Sequence, residues 1–171
     1  MSEGHKRKSN EHRQDLAGEH RWGDTVQTLL IFIFIIGMIL DLFFLKISDS
    51  WQEAFAWYFR LVVFIPLIIV VVYFFQRSHK LVFEEERKEL RVINTDIYAR
   101  IRHPMYFGAI LTYLAFLVLS LSVIALVIFI VVVIFYYYIC RYEENLLIEK
   151  LGDEYKKYKK KVPMLIPKLI K

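Results

Sequence analysis

The chain has 171 residues, 57% of them apolar, with a mean hydropathy of +0.38 and a formal net charge of +5. An ordinary soluble domain uses roughly 45–50% apolar residues, so the composition excludes one, and the single cysteine, Cys140, excludes an internal disulfide framework. The charged residues, 24% of the chain, are segregated from the apolar blocks, the pattern of a polytopic membrane protein with charged ends.

Residues 1–24 are polar and charged, lack the apolar core of a signal peptide, and are expected to form a disordered cytoplasmic tail. Its histidines, His5, His12 and His20, have no metal-ligand spacing. Residues 25–171 are expected to form one all-α membrane domain of about four transmembrane helices. The first span, 26–45, has the roughly 20 residues that a helix needs to cross a bilayer core. Asp41, near its end, is expected to reach the outer interface beside Lys46. The second span, 55–76, contains Pro66, which is expected to bend it, and Arg60, which can snorkel outward. Residues 105–140 then run for 36 positions without a charge, too long for one ordinary span. Ser120-Leu121-Ser122 sits near the middle, which predicts a tight C-terminal helical hairpin with spans over 104–120 and 122–142. Its first arm is short, about 16 residues or roughly 24 Å, so a re-entrant hairpin is the alternative. Trp51, Trp57, Tyr58 and Tyr136 to Tyr138 suit interfacial aromatic belts.

With four spans, 21 of the 23 basic residues fall on one side of the membrane. The positive-inside rule then makes both termini, the segment 77–103 and the tail 143–171 cytoplasmic. The lysines of 156–161 suit a helix face on anionic headgroups better than a nucleic-acid surface, given their place just past a membrane exit.

One stretch stands out at the cytoplasmic threshold: ARIRHPMYFGAIL, Ala99 to Leu111. Folding the hairpin about Leu121 and Ser122 brings residue 104 opposite 139 and residue 100 opposite 143. Glu143 and Glu144 thus reach the depth of Arg100, Arg102 and His103. Pro104 is suited to the first helical position, with His103 at the N-cap, and a helix start attracts anions. Tyr106 can donate a hydroxyl one turn in, and Gly108 leaves room beside the helix. Cations on one arm and carboxylates on the other suit a zwitterionic ligand. A plain ion-paired clasp between the arms uses the same residues and stays open at this point.

The run from Tyr98 to Gly108, Y-x-x-x-R-H-P-M-Y-x-G, resembles the signature of the isoprenylcysteine carboxyl methyltransferase and phospholipid methyltransferase superfamily. The segment EENLLIEKLGDEYKKYKKKVPMLIP, Glu143 to Pro167, resembles that family's closing segment, in the right order and with a hairpin between. The resemblance implies a membrane methyltransferase that uses S-adenosylmethionine on a lipophilic small-molecule or lipid acceptor, by carboxyl O-methylation or lipid amine N-methylation. Carried over by position, His103, Pro104, Tyr106 and Gly108 would form the helix start that holds the cofactor's carboxylate. Arg102 would order that corner or bind an acidic substrate. Glu143 and Glu144 would pair with its ammonium, and either could serve as base for an amine acceptor. Tyr98 and the stretch VINTDIY, Ile93 included, would line the adenosine side, and the tail would close over the cofactor. Arg102, Glu143 and Glu144 are therefore the candidate catalytic residues. The pattern departs at Asp96, where the family usually has Gly, and at Lys161, where Arg is common. The small chain suggests a prokaryotic plasma membrane. Two rival readings are a sterol-reductase-like enzyme using NADPH, which carries a related His-Pro-x-Tyr-x-Gly hairpin, and a non-catalytic scaffold.

Overall fold

The computed structural model describes residues 23–81 and 92–168. The polar tail expected over 1–24 and part of the 77–103 segment lie largely outside them. The described residues are helical, with no strand among them. The helices are α1 (Gly23–Leu40), α2 (Asp49–Ala54), α3 (Trp57–His79), α4 (Pro104–Ser120), α5 (Val123–Leu151) and α6 (Asp153–Lys161). A short 3-10 turn, Asp96–Ala99, precedes α4.

Three of these segments are long and apolar enough to cross a membrane: Thr25–Leu45, Trp57–His79 and Val123–Leu151. Their large side chains face outward. Phe32, Phe43, Phe44, Val62, Ile69 and Val127 are all more than half exposed, as an apolar solvent allows. α4 is apolar but has 17 residues, roughly 26 Å at 1.5 Å per residue. α3 runs unbroken through Pro66.

α4 and α5 form the expected hairpin. Leu121 adopts a left-handed φ of 51° as the C-cap of α4, and the Ser122 hydroxyl caps α5 by accepting from the Ala125 N–H. α1 packs against both arms, with Phe34 edge-on to Tyr113 at 4.9 Å and Gly37 beneath Ile128 and Ile124. A Cβ on Gly37 would lie 2.6 Å from Ile128 Cδ1, so the missing side chain is what permits this approach. α3 packs on another side of α4, where Phe74 meets Phe107 at 4.9 Å and Phe64 meets Phe116 at 5.6 Å.

The turn end of the hairpin corrects the expectation for Asp41. This residue is fully buried and does not reach an outer surface. Its Oδ2 accepts from the hydroxyls of Ser48 and Ser122, each at 2.5 Å, and from the Ile124 N–H at 3.4 Å. Ser48 Oγ accepts from the Val123 N–H at 2.8 Å. α1 widens into a π turn over Asp41–Leu45, and the chain doubles back so that Asp41 and Ser48 satisfy the open N–H groups at the start of α5. Arg60 is likewise tied in: its guanidinium donates to the carbonyls of Phe55, Gln52 and Leu119, at the ends of α2 and α4.

α5 runs on past the span expected over 122–142 and continues to Leu151, so the first nine residues of the expected tail are helix. No helix breaker occurs before Gly152, and Leu147, Ile148 and Leu151 gain a packing surface on Tyr155, Tyr158 and Val162. Gly152 ends the helix with a φ of 58°, a conformation that favours glycine.

Candidate functional site

The base of the hairpin is where polar groups collect. Pro104 is the first residue of α4 and His103 its N-cap, as the sequence predicts. The antiparallel packing of α4 and α5 brings Glu143 and Glu144 to this level. Arg102 Nη1 lies 2.5 Å from Glu144 Oε1, and His103 Nε2 lies 3.4 Å from the same oxygen. His103 Nδ1 is 3.6 Å from Glu143 Oε2, and the Tyr106 hydroxyl donates to Glu143 Oε1. The His103 and Tyr106 rings are stacked at 5.8 Å, and Tyr106 in turn meets Tyr136 at 5.4 Å.

The tail closes the cluster from the other side. Lys159 Nζ lies 2.8 Å from Glu144 Oε2. The Tyr158 hydroxyl donates to the Tyr98 carbonyl at 2.6 Å. Beyond α6 the backbone turns back along the segment before α4. Arg102 N–H donates to Pro163 O, His103 N–H to Met164 O, and Lys168 N–H to Arg100 O, at 3.0, 3.2 and 3.1 Å. The strap is held from beneath by Tyr155, Tyr158 and Val162, which bury against Val92, Leu147, Ile148 and Leu151. Burial also pushes the Tyr155 and Tyr158 hydroxyls up from their ordinary range, so both stay protonated.

Ionic groups in this setting are costly unless matched. The Glu144 side chain is 0% exposed and Arg102 is 9% exposed. Their contact distances satisfy an ion pair, yet Arg102 Nε and Nη1, His103 Nε2 and both Glu144 oxygens make no well-aligned hydrogen bond among the described residues. Opposite charges touch here while directed bonding capacity is left over, in a place where unmet polar atoms cost roughly 1–3 kcal/mol each. Burial holds the His103 imidazole below its ordinary value, against the opposing pull of Glu144, which keeps it neutral near pH 7. Two cations, Arg102 and Lys159, then face two carboxylates, Glu143 and Glu144, and the cluster balances its charge.

The cluster takes in Arg102, His103, Tyr106, Glu143 and Glu144, directly beside Pro104. Three expected site residues sit elsewhere. Gly108 lies close against α3: a Cβ there would lie 3.2 Å from Phe75 Cε2. Tyr98 contributes its carbonyl to Tyr158, while its ring packs with Phe74, Leu81, Ile97 and Ile101. Ile93 is half-buried in the extended stretch before the 3-10 turn. Asp96, in that turn, has a φ of 50°, the left-handed conformation that a glycine would hold with less strain. Tyr136 leaves the expected aromatic belt: it is 2% exposed and stacks inward, while Tyr137 and Tyr138 face out.

Lys159 was not singled out by sequence, where it reads as one of five lysines in a basic run. Helical spacing distinguishes it, since 155, 158, 159 and 162 share the face that packs inward. A search of curated proteins finds no match to the chain. The phospholipid methyltransferase family model matches residues 61–154, which covers most of α3, the hairpin and the start of α6. That is more than half of the chain, and it holds the charged cluster apart from Lys159; this protein belongs to the phospholipid methyltransferase family, and is a membrane methyltransferase.

Proposed function

We propose that the chain transfers a methyl group from S-adenosylmethionine to a lipophilic acceptor at the cytoplasmic boundary of the membrane. The observation that carries this is the cluster of Arg102, His103, Glu143 and Glu144, in which buried atoms of Arg102, His103 and Glu144 have bonding capacity left over. A zwitterion fits such a group: its carboxylate would meet Arg102 and Lys159, its ammonium would meet Glu143, and the net charge of the site would not change. When bound, the cofactor supplies an electrophilic methyl group on its sulfonium.

The chain's own residues have separable roles in this proposal. Glu144, fully buried between Arg102 and Lys159, anchors the tail and aims the guanidinium. Glu143 is 12% exposed and can be reached from outside the cluster, so it is the carboxylate placed to meet a ligand cation or take a proton from an amine acceptor. Tyr106 orients Glu143 through its hydroxyl. Neutral His103 can accept or donate without adding charge. The strap 162–168 covers this end and limits water, which matters because displacement at a sulfonium depends mainly on alignment and a dry setting. With four crossings, α4 being the short one, the bias of the basic residues supports a cytoplasmic side for both termini and the cluster. The cofactor then arrives from the cytoplasm and the acceptor from the bilayer.

Calorimetric titration of S-adenosylmethionine into the detergent-purified protein tests the proposal. Binding is expected, weakened roughly tenfold or more by His103→Ala and by Glu143→Gln and unchanged by Asp41→Asn at the far end of the hairpin. Folded protein that ignores S-adenosylmethionine, or binds NADPH in its place, refutes the methyltransfer chemistry. Equal affinity in all three variants refutes the site.

A further inference from the structure

The outer face of α6 and the strap that follows it offers a surface that the proposed methyl-transfer site does not use. Lys156, Lys157, Lys160 and Lys161 are exposed and recur at helical spacing on one face of α6, opposite the buried Tyr155, Tyr158 and Val162. Asp153 pairs with Lys156 at 3.0 Å, but both side chains are more than half exposed, so water screens the pair and the face stays strongly positive.

Past α6, Ile166 is 78% exposed, more than any other large apolar side chain among the described residues. The other exposed ones lie between residues 29 and 142; Ile166 lies past α6 in the short run VPMLIPK, 162–168, where it is the exposed large apolar side chain and has Lys161 and Lys168 near it. Its position is set by the backbone bonds from Arg102 to Pro163, His103 to Met164, and Lys168 to Arg100. Those bonds hold the loop beside the residues that immediately precede the apolar helix α4. A basic helix face and a bare isoleucine are thus held at the level where the chain enters the membrane.

We infer that residues 153–168 dock on the anionic phospholipid headgroups of the same membrane, with Ile166 inserted among them and the four lysines on lipid phosphates. Charge complementarity selects an anionic surface, and the exposed isoleucine selects a lipid one, because a nucleic-acid backbone has no apolar layer to receive it. The inference rests on the placement of the strap and holds whatever acceptor the site takes.

Ile166→Cys, labelled with an environment-sensitive fluorophore, tests it in full-length protein. Cys140 is fully buried and should not take up label. The protein is placed in nanodiscs of phosphatidylcholine alone, or of an equal mixture with phosphatidylglycerol. Each lysine near an anionic surface favours docking by about fivefold, so access of an aqueous quencher should fall several-fold in the mixed discs. Lys157→Gln/Lys160→Gln/Lys161→Gln should restore that access, as should high salt, which needs no variant and so removes any question of misfolding. Equal quencher access in the two kinds of disc overturns the inference, as does loss of access that salt leaves in place. Protection by added RNA without protection by phosphatidylglycerol would make the face a nucleic-acid surface instead.

Discussion

Glu144→Gln separates the fully buried carboxylate from Glu143, the one we propose to meet a ligand. The substitution keeps shape and removes one buried charge. Lys159, 27% exposed, can turn to water and loses little. Arg102, 9% exposed, is left buried without its closest counter-charge. Removing one partner of a buried ion pair costs about 3–5 kcal/mol, and the freedom of Lys159 puts this case near the lower end, about 3 kcal/mol. For a chain of this size that corresponds to a melting temperature lower by roughly 6–12 °C. Glu143→Gln removes a charge that Tyr106 and His103 contact at the edge of the cluster, and should cost only about 1 kcal/mol. Thermal melting of both variants in one detergent, followed by far-ultraviolet circular dichroism, provides the comparison. The double variant Arg102→Met/Glu144→Leu, with no charge left to strand, should recover much of the loss. Equal melting of the two single variants, or a double variant worse than Glu144→Gln, would refute the division of roles.

Three further outcomes follow from other parts of the molecule. Because burial depresses the His103 pKa in the fold below its ordinary 6.5, the folded state takes up fewer protons than the unfolded chain at mildly acidic pH. Stability should therefore be undiminished above about pH 6.5 and fall as pH drops below it, and His103→Gln should flatten that slope between neutral and mildly acidic buffers. Asp41→Ala strips two hydroxyls and the Ile124 N–H of their shared acceptor, which should lower stability by about 2 kcal/mol, with cofactor affinity of the folded fraction unchanged in calorimetry. Asp96→Gly should melt at or slightly above the parent temperature, because its exposed pairing with Arg77 at 3.3 Å contributes little and the left-handed φ is relieved. Asp96→Val should lose about 1–2 kcal/mol in the same measurement.

Some features were legible because local rules govern them. A 36-residue uncharged run can only double back, and the serines at its centre supply the N-cap that lets α5 begin. Proline belongs at a helix start, so the positions of Pro104 and His103 could be read directly. Hairpin symmetry alone sets Glu143 and Glu144 beside Arg102 and His103. Asp96 stood out only through the family resemblance, whose pattern usually has Gly there, and its left-handed φ is one that few residues other than glycine tolerate.

Other features depend on which groups meet across the fold, and spacing along the chain does not encode that. Asp41 is a cap for a helix that begins 82 residues later, so its partners could not be inferred from its neighbours. Gly108 shows only that something lies close to α4; that it is Phe75 follows from the packing of α3. Lys159 differs from the lysines around it by facing Glu144, which became possible only when two tyrosines anchored α6 on the extended end of α5. Hydropathy, charge balance and backbone preference determined the apolar helices, the hairpin and the level at which charge gathers, because each is a property of a short stretch of chain. The tertiary structure decided which carboxylate is sealed and which can be reached, because burial depends on what the remainder of the chain packs against it.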